Sequence, residues 1–100
     1  MAVMAKRKIL VVEDNDLNRS LLCEILKPEY DVVEAENGRE ALERLRQYAG
    51  DFSLILLDIV MPVMDGYEFL AAIKEDPKFD SIPVIVTTQT ASYTHLTLPT

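Results

Sequence analysis

The stretch SLILLDIVMPVMDG, Ser53 to Gly66, decides the fold: four consecutive aliphatic residues, Leu54 to Leu57, run directly into Asp58 ahead of a turn-rich segment holding Pro62 and Gly66. A strand with one wet face alternates apolar and polar side chains. An unbroken apolar run bounded by turn residues instead reads as a strand covered on both faces. Lys8 to Val12 (KILVV) and Pro83 to Thr87 (PVIVT) have the same character, and Asp31 to Ala35 (DVVEA) reads as one more strand. Helical spacing fills the gaps. Leu17, Leu21 and Ile25, with Leu22 and Leu26 beside them, form an apolar stripe that Pro28 ends. Ala41, Leu42, Leu45 and Tyr48 form a second, from the Asn37-Gly38 turn to about Gly50, and Tyr67, Phe69, Leu70 and Ile73 a third, stopped by Asp76-Pro77.

Strands alternating with helices imply right-handed βαβ crossovers and a doubly wound α/β fold with a parallel sheet. In such open sheets ligands bind outside the carboxyl ends of the strands, where the strand order reverses; for the order 2-1-3-4-5 this lies between strands one and three. Glu13-Asp14 and Asp58 stand at those two ends.

The 100 residues make one domain, with 49% hydrophobic and 27% charged residues, as in an ordinary soluble protein. No apolar run approaches the roughly 20 residues that span a bilayer. The opening MAVMAKRK lacks the apolar core of a signal peptide and Cys23 has no second cysteine to pair with, so a reducing cytoplasm is expected. Cys23 is read as a small buried side chain. A net charge of -7 repels phosphate backbones, and Lys6, Arg7 and Lys8 are too few to form a nucleic-acid-binding patch.

Three carboxylates gathered at a sheet edge repel one another, and a hard cation relieves that repulsion. Mg²⁺ is the natural candidate, because it takes a few carboxylates and keeps positions open for water or phosphoryl oxygen. A carboxylate beside it can attack phosphorus, and Asp58 is the expected nucleophile. The competing reading for Glu13-Asp14 is structural: Asp14, Asn15 or Asp16 could simply cap the next helix. Asp58 is harder to read as a cap, since Pro62 delays the following helix, and Asp65 with Glu68 three residues on suits that capping role better.

These residues also carry a family likeness. KILVVEDN, NRSLLCEIL, VVEAENGREAL, LILLDIVMPVMDGYEFL and IPVIVTT occur in the order seen in the phosphoacceptor receiver domains of bacterial two-component response regulators, which residues 7 to about 90 resemble. The resemblance implies a flavodoxin-like (βα)₅ fold, Glu13 and Asp14 as the acidic pair, Asp58 as the phosphorylated aspartate, and the Val60 backbone carbonyl completing the Mg²⁺ shell. It implies Thr88 as the switch hydroxyl. It also implies a sensor histidine kinase or phosphotransfer protein as donor, a signalling role rather than an enzyme's, and an effector domain absent from this chain.

The chain departs from the family at two places. Gln89 stands where a small residue usually follows the switch hydroxyl, and no Lys or Arg occurs after Lys78, so the family's lysine is missing and Leu98 stands in the echoing LTLPT. Residues 1–90 are therefore expected to be a receiver lacking its last β-α unit. Residues 91–100 (ASYTHLTLPT) form an atypical tail with three threonines, the only His and no acid. A short Tyr93-to-Leu98 strand in place of strand five is the alternative reading, and His95 receives no metal role. Without a final unit, strand four should present a raw edge and Leu22 and Ile25 or their neighbours should be exposed, inviting dimerisation.

Three other functions compete. The truncated chain could be a non-competent receiver fragment. An aspartyl-nucleophile phosphatase-like enzyme would want an acid two residues after the nucleophile, where Val60 stands. A flavin or nucleotide binder would want a hydroxyl- or glycine-rich loop after strand one, where EDNDLN would repel phosphate in the absence of a metal.

Overall fold

The computed structural model describes residues 6–58, 66–87 and 94–97. Its strands are β1 (Arg7–Val12), β2 (Tyr30–Ala35), β3 (Leu54–Asp58), β4 (Val84–Thr87) and β5 (Thr94–Thr97). The helices are α1 (Asp16–Leu26), α2 (Gly38–Gln47) and α3 (Gly66–Glu75). The strand order is β2-β1-β3-β4-β5, with the first four strands parallel. This is the expected flavodoxin-like doubly wound sheet.

Alternation along the strands divides the core. Leu10, Val12, Ile55, Leu57, Val84 and Val86 point to one side, where Ala41, Leu42 and Leu45 of α2 and Phe69 and Ile73 of α3 cover them. Ile9 and Val11 point the other way and are buried, on the side where α1 packs over β1 and β2. Helix α2 ends in a Schellman motif: Gly50 N–H donates to the Leu45 carbonyl at 2.7 Å and Ala49 N–H to the Arg46 carbonyl at 3.1 Å. That motif puts Ala49 in the left-handed region at φ 54°, where glycine would be more comfortable.

Four expectations are corrected. β4 has no raw edge: Thr94–Thr97 pairs with it antiparallel, Val84 opposite Thr97 and Thr87 opposite Thr94. Only residues 88–93 separate the two strands, too few for the dozen-residue crossover that a parallel neighbour requires. The alternative Tyr93-to-Leu98 strand is thus present in shorter form and in the hairpin sense. Secondly, the exposure expected on α1 is found at Ile25, 73% exposed, and beside Leu22 rather than at it, on Leu21 at 54% and Leu17 at 68%. Cys23 is the buried residue of α1, and Leu22 and Leu26 are half-buried. The expected exposure on this side therefore falls on Ile25 and on Leu22's neighbours. Thirdly, Tyr48 closes α2 as its C-cap and lies largely outside the core, its ring edge-on to Phe52 at 5.7 Å. Finally, Tyr67 of α3 is exposed while Phe69 and Ile73 fill the core.

Candidate metal and phosphoryl site

β1 and β3 are neighbours in register, Val12 opposite Leu57, so the next residues along each strand, Glu13 and Asp58, emerge side by side at the carboxyl edge. Burial carries both strands to that edge. Glu13 N–H extends the pairing with β2 by donating to the Ala35 carbonyl at 3.0 Å, which fixes where the strand stops. One oxygen from each of Glu13, Asp14 and Asp58 then lies within 4.8 Å of the others, as the pairing of acids at the two strand ends predicts. Glu13 and Asp58 are 6% and 2% exposed, so the cluster is turned into the protein rather than out to water.

The competing capping role falls to a neighbour. Asn15 is the N-cap of α1: its side-chain oxygen accepts from Asn18 N–H at 2.9 Å, and its own N–H donates to Glu13 Oε2 at 3.2 Å. Asp16 pairs with Arg19 at 2.6 Å. Asp14 does not cap the helix, and its Oδ1 is a buried oxygen with no hydrogen-bond partner. A buried acceptor without a partner costs about 1–3 kcal/mol, more when charged. Like charges this close, at an effective dielectric near 20, repel by about 3 kcal/mol per pair. Together these costs require a proton or a cation.

A proton is what the bare site takes. Burial, reinforced by a hydrogen bond to Asp58, raises the Glu13 carboxyl to a pKa of about 7. The donor set is all oxygen and anionic, and it includes an unused buried lone pair; it fits a hard, oxygen-seeking divalent ion such as Mg²⁺. Glu13, Asp14 and Asp58 would hold it.

The remaining predicted positions are Val60 and Thr88, which lie outside the described residues, as does Asp65. Thr87, the chain neighbour of Thr88, is the register partner of Asp58 across β3 and β4. Cys23 is buried, and that burial pushes its thiol pKa up, away from reactivity.

The sequence reading overlooked Arg19. Its guanidinium, 15% exposed as a side chain, donates to the Glu13 backbone carbonyl at 2.8 Å, to Asp16 at 2.6 Å and to Glu34 of β2 at 3.1 Å. Two acids offset the cost of its burial and hold its pKa above the ordinary arginine value. The available signal was an arginine four residues after the cap Asn15 with an acid, Glu34, on the adjoining strand.

The family model for the response regulator receiver domain matches residues 9–97. The chain is 48% identical over 73 residues to the chemotaxis protein CheY of Halobacterium salinarum, covering 72% of this chain and 58% of that protein. It is 42% identical over 87 residues to histidine kinase P4 of Formosa agariphila, covering 87% of this chain but 6% of the kinase. The chain therefore spans well under two-thirds of these relatives. Among solved structures, the phosphorylated cyanobacterial phytochrome response regulator RcpA superposes with a TM-score of 0.77 at 40% identity, covering 89% of this chain and 69% of that one. With the sheet order, the three acids at its carboxyl edge and a family match over nearly the whole length, the chain belongs to the response regulator receiver domains of two-component signalling.

Proposed function

We propose that this chain is a phosphorylation-dependent signalling switch that accepts a phosphoryl group on Asp58 from a sensor histidine kinase or phosphotransfer protein. The observation that carries the reading is the oxygen cluster of Glu13, Asp14 and Asp58 with its one unpartnered buried oxygen, Asp14 Oδ1. Mg²⁺ held there supplies positive charge for the three carboxylates and for the oxygens of an incoming phosphoryl group. An Asp58 carboxylate oxygen forms the new bond to phosphorus while the bond from phosphorus to the donor's imidazole nitrogen breaks; that nitrogen keeps the electron pair, and the imidazole leaves neutral because its other ring nitrogen carries a proton. A proton and the ion compete for Glu13, so its raised pKa weakens ion binding as pH falls. Asp14 and Glu13 act by holding charge, and nothing asks them to move during transfer.

In this reading the backbone carbonyl of Val60 completes the ion's shell and Thr88 responds to the modified state. The switch unit is residues 1–90, and Thr94–Thr97 covers the β4 edge. The described residues contain no helix long and apolar enough to cross a membrane, and the working location is the cytoplasm, where kinase and reduced Cys23 coexist. The relative whose solved structure is phosphorylated supports the same chemistry. Output passes to an effector domain outside this chain.

The test is intact-mass measurement after incubation with a small phosphodonor and Mg²⁺. Wild-type protein gains one phosphoryl group and Asp58→Asn gains none. Equal incorporation in both proteins sinks the assignment, and sustained phosphate release from a generic ester would instead favour the phosphatase-like reading.

A further inference from the structure

Arg19 touches the acidic turn through its backbone, and the surrounding contacts show what it constrains. The Glu13 peptide is pinned on both sides: its N–H donates to the Ala35 carbonyl of β2 at 3.0 Å, and its carbonyl accepts from Arg19 Nη1 at 2.8 Å. Arg19 is itself held by two carboxylates from different elements, Asp16 in the first turn of α1 at 2.6 Å and Glu34 of β2 at 3.1 Å. Glu34 is fixed in turn, because Arg44 of α2 donates to its backbone carbonyl at 3.3 Å. The guanidinium fork thus ties together β1, α1 and β2 at the one peptide from which both Glu13 and Asp14 project. A lysine could reach only one of these partners at a time, whereas the planar fork serves all three.

We propose that Arg19 is a positioning residue for the cation site: by clamping the Glu13 carbonyl it holds the Glu13 and Asp14 carboxylates converged, and so sets divalent-ion affinity without touching the ion. The inference rests on the metal reading above. The repelling acids of the cluster would otherwise splay when no ion is bound, and each binding event would have to gather them again. Groups that orient ligands without binding the ion typically account for 10–100-fold of affinity.

Two measurements on the full chain test this. In Mg²⁺ titration calorimetry, Arg19→Gln binds roughly 10-fold or more weakly than wild type. Arg19→Lys recovers part of the loss, and Glu34→Gln, which frees one tine of the fork, falls between wild type and Arg19→Gln. In metal-free protein, amide hydrogen exchange at Glu13 and Asn15 speeds up in Arg19→Gln, while exchange in the core strand β3 is unchanged. That second readout excludes a merely global loss of stability and is independent of any metal.

Wild-type protein that takes up no Mg²⁺ overturns the metal reading and this inference together. Wild-type protein that binds while Arg19→Gln binds equally well, or local exchange that stays unchanged, overturns this inference alone. Should Arg19→Gln prove unfolded, Glu34→Gln decides: unchanged affinity in that variant contradicts the clamp.

Discussion

The turns β1–α1 and β2–α2 start from the same plan and end in different chemistry. Each leads from a parallel strand into a helix capped by asparagine: Asn15 accepts from Asn18 N–H at 2.9 Å, and Asn37 accepts from Glu40 N–H at 2.8 Å. In the second turn the acid goes into structure. Glu40 reaches back to Glu36 N–H at 3.3 Å and forward to Arg44 at 3.5 Å, and Glu36 itself is exposed. In the first turn the asparagine caps the helix, Glu13 accepts from Asn15 N–H but is buried against Asp58, and a buried oxygen of Asp14 finds no partner. Secondary structure can be finished with fewer acids than the first turn holds. The surplus is the functional part, and it is unfavourable until a cation arrives.

The largest expected effect falls on that surplus. Asp14→Asn should lower Mg²⁺ affinity by more than about 100-fold, since groups one step removed from the ion are already worth 10–100-fold. The same substitution should raise the thermal stability of the metal-free protein, because it removes one of the cluster's repelling charges. Calorimetric titration and a melting curve in a chelator check both halves; a loss of stability would show that Asp14 was structural after all.

Next in size is a pH dependence confined to the first turn. Folding raises the Glu13 carboxyl from its ordinary 4.5 to about 7, so between these values the native protein holds a proton that the unfolded chain has released. The stabilisation from this proton is complete below about 4.5 and is lost as pH rises through about 7. Metal-free stability should therefore fall with rising pH across that window, by about 1.4 kcal/mol per unit at the steepest. Saturating Mg²⁺ should flatten the slope, because ion binding favours ionised Glu13. Chemical denaturation at several pH values, with and without Mg²⁺, measures it; a slope of opposite sign contradicts the buried-acid account.

The caps should then prove equivalent. Asn15→Ala and Asn37→Ala are each expected to cost about 1 kcal/mol of stability. Asn37→Ala should leave Mg²⁺ affinity unchanged, which urea melts and titrations of the same samples can establish. Glu40→Gln is the smallest change, about 0.3 kcal/mol, as expected for a partly exposed helical ion pair.

Much of this was legible in the residues. Runs such as Leu54 to Leu57 need cover on both faces, and that requirement alone implies a parallel sheet with its acids at the carboxyl edge. Glu13, Asp14 and Asp58 do come together there. Which of three polar residues capped α1 was not legible, because Asp14, Asn15 and Asp16 are all competent and only backbone geometry selects Asn15. The spacing of Leu17, Leu21 and Ile25 announced a stripe but not its direction, since periodicity says nothing of whether a partner exists. The pairing of Thr94–Thr97 with β4 is a long-range choice settled by the number of residues between the strands. Arg19 escaped notice because its partners lie on three separate segments.

The central claim, that the surplus acids of the first turn and Asp58 form a divalent-cation site, is tested most directly by soaking crystals of this chain in Mn²⁺ as an anomalous substitute for Mg²⁺. The account predicts a single strong anomalous peak between Glu13, Asp14 and Asp58, with Asp14 Oδ1 among the coordinating atoms and the peak absent from Asp14→Asn crystals. Well-ordered carboxylates with no peak between them, or a peak that persists in Asp14→Asn, would contradict it.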